Sequence, residues 1–425
     1  MASSINTFEK IFKNKTIRKQ ILFVIFVLVL FRLLSNIPIP GADPFRLSQF
    51  LDSGSFLGIF NLLSGGGLSS LSIIMLGVGP YITSSIIMQV LSFVSPKIKS
   101  LYQEEGEIGR KKVGNYTRLL TLPLAIVQSI SLIVLLSRQG VLPEFTLINM
   151  VINTAVAVGG SFFLMWLADL STEFGIGNGM SFVIFAGIVA SIPKYVGQVA
   201  LNWNPSDAIM YIIFGIFAVL LIAGVIFITE AERPVPVTYA RQAQNGGRVF
   251  GATQTYIPLR VNQAGVIPII FALSILLFPQ ILGSLFAGSS YAILAKAGAL
   301  MTTFSQTTWA YSIVYFVLVV LFTYFYTAVT FDPKQISENL QRSGAFIPGI
   351  RPGIPTRDYL GHIVTRITLV GSIFLGIIAV LPLIAKEISG NQALAIGGTA
   401  LLIVVSVVID IIKKVEAQMS SQEYY

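Results

Sequence analysis

The chain contains no cysteine and a single histidine, His362. These absences exclude disulfides, thiolate metal centres, a cysteine nucleophile and any histidine cluster. Charge is scarce as well, with only 11% of residues being Asp, Glu, Lys or Arg. No G-x-x-x-x-G-K-[ST], H-E-x-x-H or nucleophile elbow occurs, so the chain has no phosphate-binding loop or hydrolytic centre of those kinds. The GIGNG run at 175–179 lacks the G-x-G-x-x-G spacing and follows an apolar run rather than a strand, which makes it a tight interhelical turn. No enzyme activity, catalytic residue, metal ligand or cofactor is expected.

What is present is hydrophobic length. Of the 425 residues, 54% are hydrophobic, and the mean hydropathy is +0.79. This is the composition of an all-α polytopic membrane protein. Ten apolar windows predict spans near 21–38, 72–94, 116–137, 151–170, 181–199, 208–229, 264–287, 309–331, 363–385 and 392–412. The basic segment 1–20 runs into the first window without a small-residue cleavage site, so that helix is expected to be retained. Of the 28 Lys and Arg residues, only Arg46, Arg138, Lys194, Lys296 and Lys386 then fall on the outer side, and Arg32 lies within the first span. The bias predicts a cytoplasmic N-terminus and a cytoplasmic tail at 413–425, and explains the net charge of +9 without nucleic acid. Ten spans divide into halves at 21–200 and 201–412, and an odd number per half makes the halves inverted repeats.

The stretch 61–94 stands apart. Residues 72–94 are long and apolar enough to cross a bilayer, whereas 61–71 is short, semi-polar and broken by Gly65, Gly66 and Gly67. Irregular backbone persists at membrane depth only inside protein or against a watery cavity. This segment is therefore expected to line a pore or vestibule.

Ionisable residues in the spans lie near ends: Arg32, Asp169 and Asp410. A proton-coupled transporter needs such groups near the midplane. A secondary transporter for a small solute remains the alternative, because carbonyl-built sodium sites need no side-chain charge. Two long inner loops, 230–263 and 332–362, combine Arg with Pro and Gly, and read either as solvated loops or as a platform for a cytosolic partner.

Seven ordered segments carry a resemblance along nearly the whole chain. They are FRLLSNIPIPG (31–41), FNLLSGGGLSSLSI (60–73), GPYITSSIIMQ (79–89), EEGEIGRKK (104–112), FLMWLADLSTEFGIGNGMSFVIFAGIVA (163–190), TYIPLRVNQAGVIPIIFA (255–272) and SGAFIPGIRPG (343–353). The chain resembles the SecY family of protein-conducting channels. The resemblance implies a clamshell of two five-helix halves around an hourglass pore in the bacterial cell membrane. Through it unfolded secretory polypeptides would pass, and transmembrane segments would leave sideways into lipid. The channel would be passive, working with SecE-like and SecG-like small subunits and driven by a SecA-type motor ATPase or a ribosome.

Residue by residue, the resemblance implies a plug at about 61–71 (Asn61, Ser64, Gly65, Gly66, Gly67, Leu68) and a pore ring of Val78, Ile82, Ile184, Ile270 and Ile403. Bulky aliphatic side chains at a constriction exclude water and ions by dewetting, yet yield to a passing chain. The resemblance also implies a lateral gate with Thr83, Gln89, Gln128 and Asn262 at its seam, where amides can hydrogen-bond across helices. Docking of motor or ribosome would use Arg351, then Arg241 and Arg248. The segment ARQAQNGGRVF (240–250) departs from the family pattern, with Gln242 and Gly247 where many relatives are basic.

Overall fold

Each of the ten apolar windows falls mainly on a helix in the computed structural model. Described residues are 14–40, 61, 64, 66–68, 70–103, 106–138, 140–142, 146–201, 208–239, 244–245, 248–249, 253–265, 267–286, 291–389 and 392–423. The helices matching the windows are α1 (Lys15–Leu34), α2 (Gly79–Val94), α4 (Gly106–Arg138), α5 (Leu147–Phe174), α6 (Gly179–Leu201), α7 (Ala208–Glu230), α8 (Ile267–Phe286), α10 (Thr308–Thr330), α12 (Ile354–Ser389) and α13 (Gln392–Glu423). The described residues also form helices α3 (Pro96–Gln103), α9 (Ala292–Gln306) and α11 (Pro333–Arg342). Among the described residues, four helical stretches, Gly106–Ser137, Leu147–Phe174, Trp309–Arg342 and Ile354–Ala385, are individually long and apolar enough to cross a bilayer.

The chain folds into two units, each internally packed. The first comprises Met1–Ile212, Leu273–Tyr311 and Pro382–Tyr425. Within it α2 and α3 pack on α4, α4 on α5, α5 on α6, α1 on both α5 and α6, and α6 on α13. Asn14 caps α1, its Oδ1 accepting from the Thr16 and Ile17 amides at 3.0 and 3.4 Å. Ile17, Ile176 and Val415 form one buried cluster, which gathers the start of α1, the α5–α6 turn and the end of α13 at one end of the unit.

The second span differs from its window. Helix begins only at Gly79, and 72–78 is a chain of turns. Leu71 and Gly77 have φ of +43° and +57°, values that interrupt a right-handed helix, and Pro80 suits the first turn, where no amide donor is needed. The α5 backbone takes up the irregular segment. Ser161 Oγ donates to the Gly77 carbonyl at 2.8 Å. A Cβ on Gly160 would lie 2.0 Å from the Ile73 carbonyl oxygen, whereas one on Gly159 would meet nothing within 4 Å. Gly160→Ala is therefore expected to cost about 1–3 kcal/mol by forcing the two backbones apart, while Gly159→Ala should be neutral or slightly stabilising. Thermal unfolding of the two purified variants in detergent checks the contrast.

The second unit comprises Ile213–Ala272 and Ser312–Leu381. Its loops carry strands β1 (Glu232–Tyr239), β2 (Gln244–Asn245), β3 (Arg248–Val249), β4 (Thr253–Arg260) and β5 (Ala345–Phe346). β1 lies antiparallel between β4 and β5, while β2 pairs with β3. Val235 and Val237 point inward while Pro234 and Pro236 are exposed, the period-two alternation of a half-buried strand. The prolines fit because β5 covers only Thr238 and Tyr239, leaving the β1 edge beside them unpaired. Below the sheet Val235, Val237, Leu259, Leu340, Ala345, Ile347, Leu360 and Val364 form one core. The described parts of these loops thus carry a sheet on a packed core. Asp332 caps α11, its Oδ1 accepting from Lys334 and Gln335 amides at 2.9 and 3.3 Å.

Candidate functional site

The segment preceding α2 is the focus of the first unit. Asn61, Ser64, Gly66, Gly67 and Leu68 are all buried. Gly65 lies outside the described residues. The backbone closes on itself locally: the Gly66 amide donates to the Asn61 carbonyl at 2.7 Å and the Ser72 amide to the Gly67 carbonyl at 2.8 Å. Ser64 Oγ donates to the Asn61 carbonyl at 3.0 Å and accepts from the Leu68 amide at 3.3 Å. Gly66, at φ +83°, requires the left-handed region, and a Cβ there would sit 3.7 Å from Ser191 Oγ and 4.0 Å from an Arg32 guanidinium nitrogen. Gly67 is tighter still, since a Cβ would come within 2.9 Å of both the Ile74 carbonyl and Ser72 Oγ. Glycine here provides space as well as turns.

Downstream the chain is pinned. The Ile39 amide donates to the Leu71 carbonyl at 2.7 Å, the Ile73 amide to the Ile37 carbonyl at 2.9 Å, and Pro38 bridges Ser72 antiparallel. Ser70 Oγ also donates to the Ser35 carbonyl. The segment is therefore anchored from Ser70 onward to the stretch just after α1, and its left-handed residue, Leu71, lies at the junction.

The five aliphatic positions are all buried: Val78, Ile82, Ile184, Ile270 and Ile403. Val78 is the N-cap residue of α2, and its carbonyl accepts the Ile82 amide at 3.0 Å, which stacks the two on one helical face. Ile184 lies in the second turn of α6, which packs on α13, the helix of Ile403. Ile270 lies in the first turn of α8 within the second unit.

Thr83, Gln89, Gln128 and Asn262 offer less bonding than their chemistry allows. Thr83 Oγ1 donates to the Gly79 carbonyl at 3.0 Å and Gln89 Nε2 to Ser85 Oγ at 3.3 Å, both within α2. The amide oxygens of Gln89, Gln128 and Asn262 are buried without a hydrogen-bond partner. Buried polar atoms are rarely left so, and each orphan costs about 1–3 kcal/mol. Gln128 Oε1 faces the start of α2, 4.0 Å from where a Gly79 Cβ would be. The cross-helix amide bonds expected from the sequence are not found among the described residues; the amide oxygens stand unspent.

Sequence reasoning missed several supports. Ser84 Oγ donates to the Thr117 carbonyl at 2.6 Å and ties α2 to α4. Arg118 and Asp169 form a 2.7 Å ion pair between α4 and α5. Ser84 and Ser161 have no sequence signature, because each acts through a backbone carbonyl brought near only by packing.

Arg351 is exposed on a turn whose backbone is held from two sides. Thr356 Oγ1 donates to the Arg351 carbonyl at 2.8 Å, and Ser337 Oγ to the Gly353 carbonyl at 2.7 Å. Arg248 opens β3, and Arg241 lies outside the described residues.

Residues 72–412 match the family model of SecY. The chain belongs to the SecY family. It is 38% identical to the protein translocase subunit SecY of Mycobacterium tuberculosis over 99% of both chains. It is 41% identical to the Pseudomonas aeruginosa subunit of that name, over 95% of this chain and 91% of the relative. Three solved structures share the fold. A protein conducting channel is similar with TM-score 0.63 at 19% identity, covering 96% of this chain and 94% of that one. A SecY protein studied for its plug domain, which stabilises the closed state and maintains a membrane seal, gives TM-score 0.64 at 19% identity with the same coverage. The channel of a canine ribosome–channel complex from the endoplasmic reticulum gives 0.61 at 18% identity, again over 96% of this chain and 94% of that one. SecY is a family of membrane channels rather than enzymes, and the apolar helices above are its membrane-crossing scaffold.

Proposed function

We propose that this chain is the central channel subunit of a Sec translocase in a bacterial cell membrane. It is a passive conduit that passes unfolded secretory polypeptides and releases transmembrane segments sideways into lipid. The observation that carries the reading is the buried group Ser64, Gly66, Gly67 and Leu68, followed by the turns at 71–78 that lead straight into Val78 and Ile82. A glycine-built segment of this kind, followed at once by aliphatic collar positions, suits a seal that must be removable.

In this reading residues 61–71 are the plug, Asn61, Ser64, Gly65, Gly66, Gly67 and Leu68 among them. Val78, Ile82, Ile184, Ile270 and Ile403 form the collar. Thr83, Gln89, Gln128 and Asn262 line the lateral gate, where unspent amide oxygens can find partners when a signal segment or water enters. The halves 21–200 and 201–412 move as the two shells. Both termini are cytoplasmic, which the cluster of Ile17 with Val415 supports by placing the two ends together. Small SecE-like and SecG-like subunits brace the channel. The platform at 230–263 and 332–362 receives a SecA-type motor or a ribosome through Arg351, Arg241 and Arg248.

A secretory chain stalled in transit should form photo-adducts with crosslinkers placed at position 82 or 403. A crosslinker at the exposed position Leu33 should give few. Absence of adducts at both inner positions would instead favour a transporter of small solutes.

A further inference from the structure

The first turns of α12 and the start of β1 enclose a cavity of about 400 Å³ lined by Arg233, Tyr359, His362, Ile363, Arg366 and Ile367. We propose that it binds the headgroup of an anionic phospholipid, with an acyl chain laid along α12. The site lies in the second unit and shares no residue with the plug, collar or gate.

Spacing along α12 carries the first part of the argument. Tyr359, His362, Ile363, Arg366 and Ile367 recur at intervals of three and four and share one helical face. The opposite face, with Val364, Thr368, Ser372, Leu375 and Ala379, is buried. The cavity face does not end at Ile367: Val370, Ile373 and Ile377 continue it as exposed aliphatic side chains down the apolar part of the helix. A cationic cavity thus sits at the head of a lipid-facing stripe.

Charge carries the second part. Neither Arg233 nor Arg366 pairs with a carboxylate among the described residues. The nearest acid on α12, Asp358, is engaged by Arg357 at 2.8 Å. Glu232 is offset from Arg233 by one strand residue and so points to the other face of β1. His362 Nδ1 lies 2.9 Å from the Asp358 carbonyl. A carbonyl only accepts, so Nδ1 carries the proton, and Nε2, when unprotonated, can accept from a hydroxyl of the headgroup. Two arginine forks match the oxygens of a phosphodiester. A free phosphate ion would use the arginines but gain nothing from the Ile363 and Ile367 floor, whereas a lipid uses both.

The test places the purified translocase complex in phosphatidylcholine nanodiscs doped with photoactivatable phosphatidylglycerol and maps adducts by mass spectrometry. Adducts are expected on residues 359–377. They should fall about tenfold or more in the Arg233→Gln/Arg366→Gln variant, the scale of losing two charge-assisted contacts, and persist in Arg233→Lys/Arg366→Lys. Three results would overturn the proposal: no adducts on this stretch in the parent complex, equal labelling by photoactivatable phosphatidylcholine, or full protection by inorganic phosphate.

Discussion

Removing residues 61–70 is expected to make resting vesicles leak ions while signal-bearing polypeptides still cross. The segment fills protein space with buried side chains, Asn61, Ser64 and Leu68 among them, and the Gly66 amide, the Ser64 hydroxyl and the Leu68 amide all bond within it. Taking it out leaves the aliphatic collar as the remaining barrier. Ion flux depends exponentially on barrier height, so a fall of about 3 kcal/mol multiplies the leak by about a hundredfold. The deletion should stop at 70, because the Leu71 carbonyl accepts the Ile39 amide and its loss would loosen α1 as well. Purified complexes in vesicles carrying an ion-sensitive dye give the leak, and protease protection of an exported substrate gives transport. A deletion that leaves vesicles tight would refute the plug assignment; one that abolishes transport would show the segment to be structural.

Arg351→Glu should reduce motor-driven export about tenfold or more, the effect of an interface residue contributing about 1.4 kcal/mol or above. The guanidinium is exposed on a turn fixed by Thr356 and Ser337, so little ordering cost attends its use by a partner. Neighbouring Arg357 is held by Asp358 at 2.8 Å and offers less free charge, so Arg357→Glu is expected to act more weakly. The ion leak should be unchanged in both variants, which separates docking from gating. Undiminished ATP-driven export by Arg351→Glu in reconstituted vesicles would remove Arg351 from the docking site.

Helix placement is legible because a membrane leaves the chain few choices. Each apolar window has to satisfy its own backbone hydrogen bonds, and α-helix does so without help from distant residues. The exceptions follow from the same physics. Residues 72–78 are apolar enough to pass for the start of a span, yet they are non-helical, because Ser161 and the bare Gly160 backbone supply what an isolated segment could not. The β1–β4 hairpin is hidden by Pro234, Pro236 and Pro258, which argue against strand in sequence but sit opposite one another or on an open edge. Helix α9 has too few apolar residues for a span, and its sequence reads as outer loop.

The candidate site is legible only in part. Val78 and Ile82 share a face by spacing alone, but no property of an isoleucine in an apolar helix marks Ile184, Ile270 or Ile403. Their selection rests on motif resemblance. The cavity holding Arg233 and Arg366 is invisible in the sequence because more than a hundred residues of chain separate the two arginines.

By itself the sequence determined that this is a helical membrane protein without cysteine or a P-loop motif, and its ordered motifs identified the family. Hydropathy and charge are sums over local residues, and local sums survive without a fold. Tertiary structure alone decided that 71–78 runs as turns and a bridge rather than helix, that the amide oxygens of Gln89, Gln128 and Asn262 stand unpaired, and that the inner loops fold into a sheet on a shared core. Those features depend on which distant backbone or side chain comes within a few ångströms, and no local property of the chain encodes that.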